Sequence, residues 1–176
     1  MRLVDRMIRA ARCDISLYEE VEADQTALPQ AMATVLLSSL AAGLATVSSA
    51  GFGAPGVLLQ ILGGFLGWGV WAYLTYLIGT RLLPEPQTQA TVGELLRTLG
   101  FANSPGVIRI LGLIPGLMRL SFFVAGVWTF VTTVIAVRQA LDYTSTGRAV
   151  GVCLIGFVVQ VVLLAALFTL FGPPGA

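Results

Sequence analysis

The chain has 176 residues, 56% of them hydrophobic, and a mean hydropathy of +0.87, which is too apolar for a water-soluble domain of ordinary composition. Its ten basic residues are all arginine and stand against nine acids, a net charge of +1 with no basic stripe for nucleic acid. Histidine is absent, removing the commonest metal ligand and general base, and there is no phosphate loop, Gly-x-Ser-x-Gly elbow or Cys-x-x-Cys pair; no cofactor, metal or catalytic residue is expected, and the chain reads as a non-enzyme.

Residues 1–28 form a polar N-terminal region, read as cytoplasmic. Leu3, Val4, Met7, Ile8 and Ala11 share one helical face and Arg2, Asp5, Arg6, Arg9 and Arg12 the other, the pattern of an amphipathic helix lying on a membrane surface or against a partner protein. From Asp14 to Asp24 the charge is wholly acidic. Ser16 and Glu19 have capping-box spacing, so a short helix is expected to start at Ser16, with Tyr18 and Val21 on one face.

Residues 29–171 hold the membrane-spanning part. No charge occurs from Leu28 to Thr80, and Gly51-Phe52-Gly53-Ala54-Pro55-Gly56 interrupts the run, predicting a hairpin of spans over 31–50 and 57–79. Ser39 and Gly43 on the first span and the Gly63–Gly67 pair on the second let helices approach closely, within the chain or between copies as a homo-oligomer. Trp68, Trp71, Tyr73 and Tyr76 suggest an interfacial aromatic belt.

Pro84 and Pro86 end the second span. Thr91 and Glu94 form another capping box, opening a short amphipathic helix with Val92, Leu95, Leu96 and Leu99 opposite Glu94 and Arg97. Ser104-Pro105 restarts a helix that Pro115-Gly116 ends. This third span, 104–117, is short and carries Arg109, expected to snorkel to headgroups or to pair with Glu94 or Asp142. Spans follow over 120–138, charge-free up to Val137, and over 149–171, with Gly151 at a packing position, and 172–176 form an uncharged tail. If 104–117 crosses, Arg81, Arg97, Arg138, Arg148 and the N-terminal arginines share one side. The positive-inside tendency then favours five spans, with the N-terminus cytoplasmic and the C-terminus outside; if it does not cross, there are four. The fold class is an all-α polytopic membrane protein.

Several of these segments carry a resemblance. Tyr18-Glu-Glu-Val-Glu-Ala-Asp24, the Gly93-Glu-Leu-Leu-Arg97 helix, Gly100-Phe-Ala-Asn-Ser-Pro-Gly106 and Val137-Arg-Gln-Ala-Leu-Asp-Tyr143 together resemble the Yip-domain family of membrane proteins, over about Tyr18 to Phe171. The resemblance implies five spans with a cytoplasmic N-terminus. Eukaryotic members associate with Rab-type GTPases and with one another; this chain lacks their long polar N-terminal region and Asp-Leu-Tyr-Gly-Pro motif, and looks more like the short bacterial branch, in a bacterial cytoplasmic membrane.

The expected function is a non-enzymatic adaptor or scaffold that binds membrane lipids and other integral membrane proteins, in a specific form an auxiliary subunit of a larger bioenergetic complex. Transport or lipid handling is the alternative. The residues expected to meet a partner are those of the cytoplasmic rim: Tyr18, Glu19, Glu94, Arg97, Asn103, Arg138, Asp142, Tyr143 and Arg148. Arg138 and Asp142, four residues apart, have the spacing of a helical ion pair.

Overall fold

The structure is a computed structural model that describes residues 2–50 and 53–171. The described residues form seven α-helices: α1 (Leu3–Ala11), α2 (Ile15–Ala23), α3 (Leu28–Ala50), α4 (Gly53–Leu77), α5 (Val92–Ala102), α6 (Met118–Ala140) and α7 (Thr146–Phe171). A π-helical turn, Ile78–Leu82, extends α4, and a 3-10 helix, Ser104–Leu113, follows α5. The expected all-α membrane architecture is present, with four helices among the described residues long and apolar enough to cross a bilayer, α3, α4, α6 and α7. The expected tail, 172–176, and Gly51 and Phe52 of the expected turn lie outside the described residues.

The four long helices begin a few residues earlier than the expected spans. α3 takes Pro29 into its first turn, and α4 takes Pro55, because a proline in a first turn gives up an N–H that would have no helical partner. Ala54-Pro55-Gly56, expected as turn, is therefore helix.

The segment after α5 is the least regular part of the bundle. At roughly 2 Å per residue its ten 3-10 residues extend about 20 Å, some 5 Å further than the same residues in an α-helix. The end of α5 and this segment run beside α3: a Cβ on Gly100 of α5 would stand 2.6 Å from the Ala31 methyl, Gly106 faces Ser38, and a Cβ on Gly112 would stand 3.0 Å from the Ala45 methyl. Glycine is required at Gly100 and Gly106 by this approach. α6 starts beside the end of the segment, with Ser121 against Gly112, and returns past Ala102, whose carbonyl accepts a hydrogen bond from Thr132 at 2.7 Å.

The tightly packed part of the protein sits at one end of this bundle. Leu17, Tyr18 and Val21 of α2, Leu95, Leu99, Phe101 and Ala102 of α5, Val137, Ala140 and Leu141 at the end of α6, and Ala149, Val152 and Cys153 of α7 form one buried cluster. Away from this end, Leu58, Leu62 and Leu66 of α4 and Phe157, Val158 and Val162 of α7 stand 60% exposed or more.

Candidate functional site

The charged rim surrounds the packed end, and its geometry starts with α1. Arg6 is 5% exposed, and its guanidinium donates to Glu20 at 2.8 Å, Asp24 at 2.7 Å and Gln30 at 3.2 Å. Arg9 donates to Asp14 and Glu20, each at 2.7 Å. The basic face of α1 is thus turned onto the acids of α2, leaving Val4 and Ile8, one helical turn apart, exposed. Trp128 fastens the end of α1 by donating its indole N–H to the Ala11 carbonyl at 2.7 Å.

The start of α2 differs from the capping box expected at Ser16. Asp14 is the cap: its carboxylate accepts the Ser16 N–H at 3.0 Å and the Ser16 hydroxyl at 2.7 Å. Arg9 settles the choice by holding Asp14 in place, and Glu19 is released to accept from Gln139 at 3.1 Å. The second box is as expected. Thr91 Oγ1 accepts the Glu94 N–H, and Glu94 accepts the Thr91 N–H at 2.8 Å.

Three residues expected to face a partner are instead enclosed. Tyr18 is fully buried, with its hydroxyl donating to the Ala10 carbonyl at 3.3 Å. Arg97, 8% exposed, donates to the Val21 carbonyl at 2.9 Å and to the Glu22 carbonyl, satisfying the last turn of α2, which a helix leaves unpaired. Tyr143, 4% exposed, directs its hydroxyl between the Leu83 and Gly79 carbonyls, at 2.7 and 3.0 Å, and so closes the irregular end of α4. These side chains hold the rim together.

Arg138 and Asp142 do not form the expected ion pair. The Arg138 guanidinium turns to the loop before α7, donating to the Tyr143 and Thr144 carbonyls and to the Thr146 hydroxyl at 3.1–3.3 Å. Asp142 takes a left-handed conformation (φ 53°) after the end of α6 and is exposed. Asn103 caps α5, donating to the Leu99 carbonyl at 2.9 Å. Arg148 donates to the Pro84 carbonyl at 2.8 Å and lies 3.5 Å from Glu85.

Glu85 was not among the expected residues, yet it joins two loops. It accepts the Thr144 N–H and hydroxyl at 2.9 and 2.8 Å and the Gln87 amide at 2.6 Å. The signal was present in the sequence as a lone acid between Pro84 and Pro86. Its carboxyl is held below the ordinary range, first by the Thr144 N–H and, against some burial, by the Thr144 hydroxyl and Gln87. Asp24 is pushed down to about 2 by Thr26 and Arg6. Glu22 moves the other way, up to about 7: burial dominates, and Asp142, Glu94 and Glu19 add repulsion that Arg97 only partly offsets.

The glycines expected to pack helices divide. A Cβ on Gly43 would meet Val57 at 3.3 Å and one on Gly151 would meet Leu83 at 3.7 Å, but Gly63 has nothing within 4 Å and Gly67 only Gln160 at 3.9 Å. The close approach between α3 and α4 falls on Gly64, against Ser39, one residue and about 100° around the helix from Gly63.

The rim gathers donors and acceptors that lock helices to one another. The family model for the Yip1 domain matches residues 17–167, most of the chain. The chain belongs to the Yip1-domain family. No curated protein and no solved structure matches it. Within this Yip1 domain the match begins in α2, so the α1 clamp, with Arg6 and Arg9, precedes the matched residues, whereas Arg97, Glu85 and Tyr143 fall inside them.

Proposed function

We propose that the protein is a non-enzymatic membrane adaptor that binds other integral membrane proteins along α4. The observation that carries this reading is the bareness of that helix. In its most apolar window only 6% of the residues are buried, against 44% in the first span. Leu59, Leu62, Leu66, Val70 and Tyr73 follow one another at three- and four-residue steps and are all exposed. Gly69, between Leu66 and Tyr73 on that stripe, has nothing within 4 Å of where a Cβ would be. An apolar stripe alone faces lipid as comfortably as protein; an open glycine within it lets a second helix approach to backbone distance.

The specific form of this reading is an auxiliary subunit of a larger bioenergetic complex in a bacterial cytoplasmic membrane. The chain would cross five times, with α5 and the 3-10 helix together making the third crossing, the N-terminus cytoplasmic and the C-terminus outside. Fusion of reporters active on one side only to each terminus tests the orientation; reporters active on the same side at both ends would refute five crossings.

Gentle extraction of the tagged protein from its own membranes should recover stoichiometric integral membrane partners. Gly69→Leu should release them while the protein stays monodisperse. A lone protein at every detergent strength would sink the adaptor reading.

A further inference from the structure

A cavity of about 440 Å³ lies between α4, α6, α7 and the 3-10 helix, within the usual range for ligand pockets. Its polar wall is made by Arg109, Asn103, Thr129, Thr133 and Gln160, and its apolar wall includes Trp68, Trp71, Phe130 and Phe157. A second cavity of about 260 Å³ shares Trp71, Phe130 and Phe157 with the first and is completed by Cys153 and Leu154, with no polar lining surface. The two spaces make one site, polar at one end and apolar at the other.

The charge in this site is unbalanced. Arg109 faces Ser38, about 15 Å along α3 from Leu28. Its guanidinium has five donors, and among the described residues it makes one hydrogen bond, to Ser38 Oγ at 3.4 Å, and lies 5.9 Å from the Phe122 ring centre. None of the ion pairs among the described residues includes it. The expected partners Glu94 and Asp142 do not reach it. On the wall of the same cavity, the buried Thr129 hydroxyl has no hydrogen-bond partner among the described residues. A cation and an unpaired hydroxyl at membrane depth call for an anion, because either left alone costs free energy.

We propose that this is a binding site for an anionic phospholipid, its phosphate held by Arg109 with the Asn103, Gln160 and threonine side chains around it, and one acyl chain in the slot between Phe157, Leu154 and Trp71. The apolar slot selects a lipid over a free anion. An acyl chain gains contacts there that inorganic phosphate lacks. The site is separate from the exposed α4 stripe and does not depend on the adaptor reading.

The test is native mass spectrometry of the full chain in mild detergent, with added phosphatidylglycerol or phosphatidylcholine. Wild type should retain phosphatidylglycerol in preference to phosphatidylcholine. Arg109→Gln should cut that retention about tenfold, the loss of one charge-assisted hydrogen bond. Gly126→Leu keeps Arg109 and fills the cavity, since nothing lies within 4 Å of where its Cβ would be, and should abolish retention. If Arg109→Gln is not monodisperse, Gly126→Leu alone decides. Retention at the wild-type level in the monodisperse variants would overturn the proposal. So would equal retention of the two lipids by wild type, or displacement of the lipid by millimolar inorganic phosphate, which would mark a site for the free anion.

Discussion

The two ends of the bundle are built from similar residues and packed by different rules. At the rim end, Leu17, Leu95, Leu99 and Leu141 are all at most 1% exposed; along α4, farther from the rim, Leu58, Leu59, Leu62 and Leu66 are 60–71% exposed. Water explains the difference. Where helices meet an aqueous phase, burying apolar surface drives them together at roughly 25 cal/mol per Å²; in hydrocarbon that drive disappears, and helices stay apart unless small residues or polar bonds join them. The buried cluster therefore marks where the protein emerges from the bilayer, and α1, α2 and α5 form a cap that shields the ends of α4, α6 and α7.

The sharpest way to break this comparison is to place the same side chain inside the packed cap and on the bare face of α4. Gly100→Leu would drive Cβ into Ala31, whose Cα also lies only 3.1 Å away, and should cost about 3 kcal/mol or prevent folding. Gly69→Leu meets open space and should change stability by less than about 1 kcal/mol, its helix propensity being favourable. Thermal unfolding in one mild detergent compares them; equal losses would mean that the cap is no better packed than α4.

The next largest effect concerns Arg97. Arg97→Gln removes the donors from the Val21 and Glu22 carbonyls at the end of α2 and should destabilise the cap by about 2 kcal/mol, in the range for hydrogen bonds to charged groups. Hydrogen exchange should quicken in α2 and the adjoining face of α5 and remain unchanged in α4. A uniform increase would mean that cap and bundle open as one unit.

The acids of the cap divide by the sign of their response to pH. Glu22 has a raised folded value, about 7, so its contribution is fully present below the unfolded value near 4.5 and is lost as pH rises through 7. Glu22→Gln removes that loss and should raise stability above pH 7 by about 1 kcal/mol, discounted for partial solvent access, with no gain at pH 4. Asp14, Glu20, Asp24 and Glu85 have lowered values. Their contributions are present above the unfolded values and disappear as pH falls through the folded ones. The α1 clamp should loosen below about pH 4, read as faster labelling of Cys13 at pH 3.5 than at pH 6 with an acid-tolerant disulfide reagent. Labelling that is no faster at pH 3.5 would detach the carboxylates from the clamp.

How much of this was legible beforehand follows from how far each signal reaches along the chain. The long helices and the Thr91–Glu94 box depend on neighbours within a few residues, and the sequence reading placed them with boundaries off by only a few positions. The cap expected at Ser16 is instead Asp14, two residues earlier, and the deciding contact comes from Arg9 on another helix. Tyr18, Arg97 and Tyr143 are polar residues of the kind that faces solvent; their partners, Ala10, Val21 and Leu83, are carbonyls set beside them by folding. Gly63 and Gly64 are adjacent in sequence, and only the rotation of α4 against Ser39 distinguishes them. Helical spacing placed Arg138 four residues before Asp142, but α6 ends at Ala140, so the spacing no longer describes a helix there.

That ended helix gives the smallest and most discriminating expectation. If Asp142 supported the cap as an ion-pair partner of Arg138, Asp142→Asn would cost stability. The geometry points the other way: Arg138 is committed to the Tyr143 and Thr144 carbonyls, and the left-handed backbone at Asp142 suits asparagine as well as aspartate. Asp142→Asn should therefore leave stability within about 0.3 kcal/mol at pH 5, a change typical of a surface site. It also removes the largest repulsive charge acting on Glu22, so the Glu22 titration should move down and the high-pH stability should rise slightly. A loss of stability at pH 5 would restore the ion pair. An unmoved Glu22 titration would leave burial, with Glu94 and Glu19, as the cause of its raised value.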